Sequence, residues 1–189
     1  MKPHGLHLAL VHYPVVNRAG ALASSSVTNL DLHDLARLSA TYGIGACYIV
    51  TPLADQAAIV ADLLAHWREG RATVVHEDRA RALATLRLVP DIAAAVADIA
   101  ERTGAAPALW ATTAREENGM LSHREARRRL WEREGPTLLL LGTAWGLAPE
   151  VMASADAVIE PIRGACGYNH LSVRCAAAIL VDRLLREDI

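Results

Sequence analysis

Two loops carry the residue types that a small-molecule pocket needs. The first, Gly142-Thr143-Ala144-Trp145-Gly146, abruptly ends a run of four leucines, Leu138 to Leu141. The second starts at Pro161-Ile162-Arg163-Gly164 and continues past Gly167. Glycine permits close backbone approach or positive φ where a side chain would obstruct, so amide and carbonyl groups can line a pocket. A continuous leucine strand reads as a central strand of a parallel sheet, buried on both faces, and ligands of such sheets sit beyond the C-terminal strand ends. Ala157-Val158-Ile159 repeats the arrangement, a short strand followed by Pro161, Gly164 and Gly167, which forbid regular structure. Taken singly, either loop is better read as a tight turn of an ordinary α/β domain; together they make a pocket.

A second set of polar residues lies near the N-terminus. Asn29, His33 and Arg37 recur at i, i+4 and i+8, on one face of a helix, while Leu32, Leu35, Leu38 and Tyr42 fall toward a core. Thr28-Asn29-Leu30-Asp31 resembles a capping box, with Thr28 accepting the first amide and Asp31 favoured in the first turn. The competing reading is a solvated helix face with an Asp34–Arg37 pair, contributing about 0.2 to 0.5 kcal/mol.

The elements that must hold these residues alternate along the chain. Strands are expected at His7 to His12, Ala46 to Val50, Thr73 to His76, Ala108 to Thr112 and Thr137 to Leu141. Helices are expected at Leu30 to Tyr42, Leu53 to Trp67, Arg79 to Leu88, Asp91 to Thr103 and Ser122 to Arg133, with an apolar helix at the C-terminus. This βαβα order implies an α/β fold with a mostly parallel sheet and helices on both faces. No linker or repeat divides residues 1–189, which read as one domain. The terminal helix has so little polar face that something must cover it.

Other glycine-loop chemistries fit less well. A dinucleotide site needs G-x-G-x-x-G, a phosphate loop needs Gly-Lys before Ser or Thr, and a serine hydrolase elbow needs G-x-S-x-G; none occurs here. The cysteines, Cys47, Cys166 and Cys175, form no C-x-x-C pair, so reduced thiols in a cytoplasmic protein are expected and no metal site. No apolar run approaches eighteen residues, and neither secretion nor membrane insertion is suggested. The formal net charge of −2 weighs against nucleic-acid binding. Distribution weighs for it: Arg124, Arg127, Arg128, Arg129 and Arg133 crowd one expected helix, and Arg68, Arg71, Arg79, Arg81 and Arg87 surround another. Such runs are more often solvated faces than phosphate contacts.

The ordered set Gly142, Gly146, Leu147, Pro149, Glu150, Asp156, Pro161, Ile162, Gly164, Leu171, Ser172 and Ala176 to Ile179 resembles the cofactor half of the SPOUT-class, or α/β-knot, RNA methyltransferases. The resemblance implies a C-terminal trefoil knot over about residues 141–178, a homodimer with composite sites, S-adenosyl-L-methionine (AdoMet) as cofactor, and methyl transfer to tRNA or rRNA. It implies that Leu141, Gly142, Thr143, Gly146, Pro161, Ile162, Gly164, Leu171 and Ser172 hold adenine and ribose, with Thr112 and Thr113 lining the pocket. Tyr168, Asn169 and His170 would bind the cofactor's polar ends or orient the target. Asn29 and Arg37 would form the first family motif, whose arginine lies near the transferred methyl and the RNA phosphate; His170 is either a base or a donor that satisfies its loop. Enzymes of the ribose 2′-O branch carry a glutamate inside the Gly turn and Ser-Leu-Asn before the last helix. Here Ala144-Trp145 and His170-Leu171-Ser172 stand there, which weakens ribose methylation. Two other readings stay open: a non-catalytic AdoMet- or RNA-binding domain, and an α/β enzyme acting on a small molecule.

Overall fold

The leucine run becomes strand β7 (Thr137–Gly142) and lies beside β1 (Leu6–Val11) at the centre of the molecule. The computed structural model describes residues 5–68 and 76–186. Within them β1 is followed by a two-stranded ribbon, β2 (Val15–Val16) and β3 (Leu22–Ala23), then α1 (Asn29–Tyr42), β4 (Cys47–Val50) and α2 (Ala54–Arg68). The order continues with α3 (Glu77–Leu83), β5 (Leu86–Val89), α4 (Ile92–Thr103), β6 (Ala108–Thr112) and α5 (His123–Glu132). After β7 come α6 (Pro149–Ser154), β8 (Ala157–Ile159) and α7 (Val173–Leu185). Six strands form one sheet in the order β5-β4-β1-β7-β6-β8, and every pairing in it is parallel.

Alternation along the central strands sorts the two faces. Leu6, Leu8 and Leu10 of β1 and Leu139 and Leu141 of β7 meet α1, α2, α3, α5 and α7 on one side. Ala9, Val11, Leu138 and Leu140 meet α4, α6 and the β2–β3 ribbon on the other. Both faces are therefore covered, and the leucine run needs no polar side. Helix starts follow the sequence signals: Thr28, Asp91, Ser122 and Ser172 each accept an amide of the first turn through the side chain. Gly43 and Gly104 end α1 and α4 in the left-handed conformation.

One expected helix, Arg79 to Leu88, is overturned. Helix α3 stops at Leu83, Thr85 folds back to bond Ala82 O through both its amide and its hydroxyl, and β5 begins at Leu86. The two-residue period explains it: Leu86 and Leu88 face the helical core, whereas Arg87 reaches Asp98 on the opposite side at 3.5 Å. Of the expected strand Thr73 to His76, residues 73–75 lie outside the described residues; His76 is the N-cap of α3. The β2–β3 ribbon carried no repeat long enough to be read.

Helices α1 and α7 run side by side in the same direction. Arg174 in the first turn of α7 pairs with Asp31 in the first turn of α1, and Tyr42 OH near the end of α1 donates to Asp182 near the end of α7. Both N-termini thus sit at the C-terminal edge of the sheet. Because Leu139 has no exposed surface, Leu139→Ala should destabilise the fold by about 2 to 5 kcal/mol, read as a lowered denaturant midpoint with an unchanged slope.

Candidate active site

Three loops meet at the C-terminal ends of β7, β6 and β8. The turn after β7 is the most tightly built. At Gly142 a Cβ would lie 2.6 Å from Leu147 N and 3.0 Å from Gly146 C, so only glycine fits without displacing backbone. Ala144 (φ 50°) and Gly146 (φ 111°) both adopt the left-handed region. The β2–β3 ribbon holds this turn in place: Trp145 N donates to Val16 O, Val16 N to Gly146 O, and Ala148 N to Pro14 O. The ribbon is the part of the site that sequence reasoning missed. Its trace in the chain is Val15-Val16 with Asn17 to Gly20 after it, where Asn17 Oδ1 accepts from Ala19 and Ala21 amides.

Thr143 is held from below. Its hydroxyl lies 2.9 Å from Val11 O and 2.5 Å from Ser25 Oγ, and Ser25 Oγ lies 2.9 Å from His12 Nδ1. His12 is only 1% exposed, its Nε2 has no hydrogen-bond partner, and burial pushes its pKa below the ordinary histidine value, against the opposing field of Asp31. His12 was read only as the end of the first strand. The signal was a histidine at the C-terminal end of a central strand, where ligands of parallel sheets sit.

The second loop, after β6, begins at Thr112 and Thr113. Thr112 Oγ1 donates to Leu140 O and Thr113 Oγ1 accepts from Arg115 N, so both hydroxyls serve the local backbone. The third loop leaves β8, which is clamped to β6 by Asp156: its carboxylate accepts from Leu109 N and its amide donates to Leu109 O. Leu121 then runs beside β8, accepting from Glu160 N and donating to Val158 O. The loop lies over residues 113–120: Asn169 Nδ2 donates to Ala114 O, and Arg163 pairs with Glu116 at 3.1 Å.

The placement of the expected site residues is mixed. Gly142, Thr143, Gly146, Thr112, Thr113, Pro161, Ile162, Gly164, Tyr168, Asn169, His170, Leu171 and Ser172 all come to this edge, on the three loops. Leu141 is buried in the core, so it offers the site backbone only. Ser172 Oγ caps α7. Pro161 is buried, whereas Tyr168 (72% exposed) stacks edge-on with His170, and a Cβ on Gly164 would meet nothing closer than Tyr168 O at 4.0 Å. Asn29 starts α1 at the same edge, but Arg37 lies two turns further along, about 12 Å by helical rise, exposed and with no carboxylate partner among the described residues. The Asp34–Arg37 pair is not formed; Asp34 pairs with Arg174 at 3.5 Å instead. Arg37 and Arg79 both act, after burial, to disfavour the proton on His33.

Exposed apolar surface concentrates here. Of the large hydrophobic side chains left exposed among the described residues, Leu30, Leu53, Trp145, Tyr168 and Leu171 follow strand C-terminal ends, Leu22 opens β3 of the ribbon, and Ile59 lies on α2. Two surface depressions lie elsewhere, one near Trp110, Arg129 and Asp156 and one along the free edge of β5 near Arg68 and Asp98; neither includes a residue of the three loops. Most of the basic runs are internally engaged: Arg128 and Arg129 pair with Glu125, Arg81 with Asp78, Arg87 with Asp98, and Arg68 donates to Leu86 O. Arg71 lies outside the described residues.

A family model described as SAM-dependent RNA methyltransferase matches residues 5–186. A tRNA (guanine-N(1)-)-methyltransferase of Oleidesulfovibrio alaskensis is 49% identical over 184 residues, which is 97% of this chain and 43% of that protein. The chain therefore spans less than half the length of that relative. An "uncharacterized protein" of Aquifex aeolicus is 33% identical over 96% of the chain and 88% of its own length. Among solved structures, TrmJ from Z. mobilis superposes with a TM-score of 0.59 at 20% identity over 96% of this chain and 68% of that one. A TrmH/SpoU tRNA modifying enzyme of A. aeolicus does so with 0.57 at 16%, over 97% and 75%. These structural likenesses bear out the α/β, mostly parallel SPOUT-like fold.

Two outcomes follow from the geometry. Gly142→Ala should lower stability by about 1 to 3 kcal/mol, since backbone must move, whereas Gly164→Ala should leave the thermal midpoint of the ligand-free chain within a degree or two. His12, His33 and His123 all have lowered pKa values, chiefly through burial, so the unfolded chain takes up protons first as pH falls. Stability should be full above the unfolded histidine value of about 6.5 and decline as the pH drops toward 5, measured by urea midpoints; a flat profile would contradict the burial.

Proposed function

The chain belongs to the SAM-dependent RNA methyltransferase family, and from that premise we propose that it transfers the methyl group of AdoMet to tRNA at the edge where the three loops meet. The carrying observation is that convergence: a glycine turn with no room for a side chain, a loop with open space at Gly164, and exposed Trp145, Tyr168 and Leu171 between them. Exposed aromatic and aliphatic surface suits a purine ring. Bound there, AdoMet would supply an electrophilic methyl on a sulfonium. The chain's own part is to hold and orient. Backbone groups of residues 143–146, 162–164 and 171–172 would hold the nucleoside part, Asn169 keeps its loop on residue 114, and a fixed turn would orient the cofactor so that proximity lowers the barrier by several kcal/mol.

The choice of tRNA is supported by the name of the half-matched relative; because that protein is more than twice as long, its guanine-N(1) activity is not allotted to this segment. The near full-length match in A. aeolicus supports residues 1–189 as one unit. A trefoil knot over about 141–178 fits the path from edge strand β8, over residues 113–120, back to α7 between α1 and α5. We place Asn29 at the pocket rim and assign Arg37 to the RNA phosphate rather than to the chemistry: it is exposed, unpaired and close to other cations, and an arginine seldom gives up its proton. The assembly is a homodimer across α1 and α7, whose outer faces leave Leu30, Cys175 and Ala178 exposed, with Leu171 exposed just before α7. No helix among the described residues is long and apolar enough to cross a membrane, and free Cys166 and Cys175 suit the cytoplasm.

The test is transfer of labelled methyl from AdoMet to total RNA of a strain lacking the gene, followed by nucleoside mass spectrometry. Calorimetry should show micromolar AdoMet affinity, about −7 to −9 kcal/mol, and AdoMet binding without transfer would favour the non-catalytic reading. Arg37→Ala should leave AdoMet affinity unchanged, raise KM for RNA and reduce the salt slope by roughly one charge. Sedimentation should give twice 20.3 kDa, and Ala178→Asp should yield inactive monomer.

A further inference from the structure

Hydrogen-bond bookkeeping fixes the protonation of the histidine beneath the glycine turn. Val11 O can only accept, so Thr143 Oγ1, 2.9 Å away, must be the donor. With its hydrogen spent, Thr143 Oγ1 accepts from Ser25 across 2.5 Å. Ser25, its hydrogen spent in turn, accepts across 2.9 Å from His12 Nδ1, which therefore carries the ring proton. A neutral His12 so arranged has a bare lone pair on Nε2. That nitrogen is buried and no donor among the described residues reaches it. A buried acceptor left without a donor is costly, and this one lies at the end of β1 between the cofactor turn and the first turn of α1.

We propose that His12 is the proton acceptor of the methyl transfer, and that the methylated atom is consequently one that bears a hydrogen, a ring N–H or a hydroxyl. The inference rests on the methyltransferase reading above. In the step, a lone pair of the RNA atom forms the new bond to the methyl carbon while the carbon–sulfur bond breaks, its electrons going to sulfur. The hydrogen of that RNA atom passes as a proton to Nε2, leaving a neutral thioether, an uncharged methylated nucleoside and an imidazolium. The groups facing that imidazolium are Ser25 of the strap 24–28, Thr143 of the turn and Asp31 of α1, itself paired with Arg174 of α7 at 3.4 Å. Asp31 favours the charged ring once it forms, and burial keeps the ring neutral until then. The strap 24–28 covers the ring through Ser25. It contains no helix or strand and is tied down by Ser25 N to His12 O and Val27 N to Gln56 Oε1.

The deciding variant is His12→Asn, whose amide can still donate to Ser25 but offers nothing at the Nε2 position. Using total RNA from a strain lacking the gene and saturating AdoMet, single-turnover transfer should fall at least about 100-fold with AdoMet affinity within twofold of the parent. The parent rate should fall as pH drops below neutrality, and that dependence should vanish in the variant. The nitrogen-resolved imidazole spectrum of the ligand-free chain should show His12 protonated on Nδ1 alone from pH 7 to 8. The proposal is overturned by a proton on Nε2 in that spectrum, by a parental rate in His12→Asn, by joint loss of AdoMet binding, or by a cationic product such as a methylated ring nitrogen that bore no hydrogen. If the parent itself transfers no methyl group, the functional reading falls with it; if the parent is active and His12→Asn equally so, only this inference falls.

Discussion

The arrangement depends on β7 being buried on both faces between β1 and β6. A strand so placed is apolar after its first residue, Thr137, and Leu138 to Leu141 have at most 1% exposure. It must also stop where the sheet stops, because the next residues have to turn without a side chain striking Leu147. Gly142 is therefore a requirement of folding before it is a feature of any pocket. The turn that results is pinned from one side by the β2–β3 ribbon and from below by the Val11–Thr143–Ser25–His12 chain. Rigidity here comes from satisfied backbone groups rather than from the glycines themselves, which would otherwise be a source of freedom.

Most of this was legible in the sequence where hydrophobic period and capping agreed. Thr28 with Asp31, Asp91, Ser122 and Ser172 start their helices as their types predict, and β6 and β8 fall where apolar runs meet glycine or proline. The failure at residues 86–89 has a simple cause. Leu86 and Leu88 satisfy a helical stripe as well as a strand alternation over so short a window, and only pairing with β4, a long-range contact, decides between them. The site divided in the same way. Loop residues identified by glycine and proline came together, whereas the hydroxyl–imidazole chain is made by residues 118 and 13 positions apart, a juxtaposition that spacing cannot reveal.

Charge told less than its distribution seemed to promise. The arginines of α5 form ladders with Glu125 and Glu132, holding the Glu125 carboxyl down to about 2. Because those groups are exposed, the pairs contribute little to stability. They do remove the cations from the pool available to RNA. The cations outside those pairs include Arg115 on the loop after β6 and, two turns from the pocket, Arg37, with Arg79 over Trp67 at 5.2 Å and His33 beside them. A chain of net charge −2 that meets a polyanion through so few free cations needs its affinity from shape and base contacts as well, and its binding should be less salt-dependent than that of a strongly basic protein.

The departures from the ribose-methylating branch acquire a physical meaning once the polar groups are located. Ala144 and Ser172 stand where that branch carries glutamate and asparagine, so the turn itself offers no carboxylate to the reacting centre. The ionisable groups have instead moved beneath and beside it: His12 at the end of β1, and the Asp31–Arg174–Asp34 group that joins the first turns of α1 and α7. Arg174 at a helix N-terminus is unfavourable by the helix dipole, and two aspartates are needed to hold it. That expense is hard to explain by packing alone, since an uncharged residue at that position would cost less. It is explained if the guanidinium and the carboxylates are wanted beside the glycine turn, where the first turns of α1 and α7 border the proposed site.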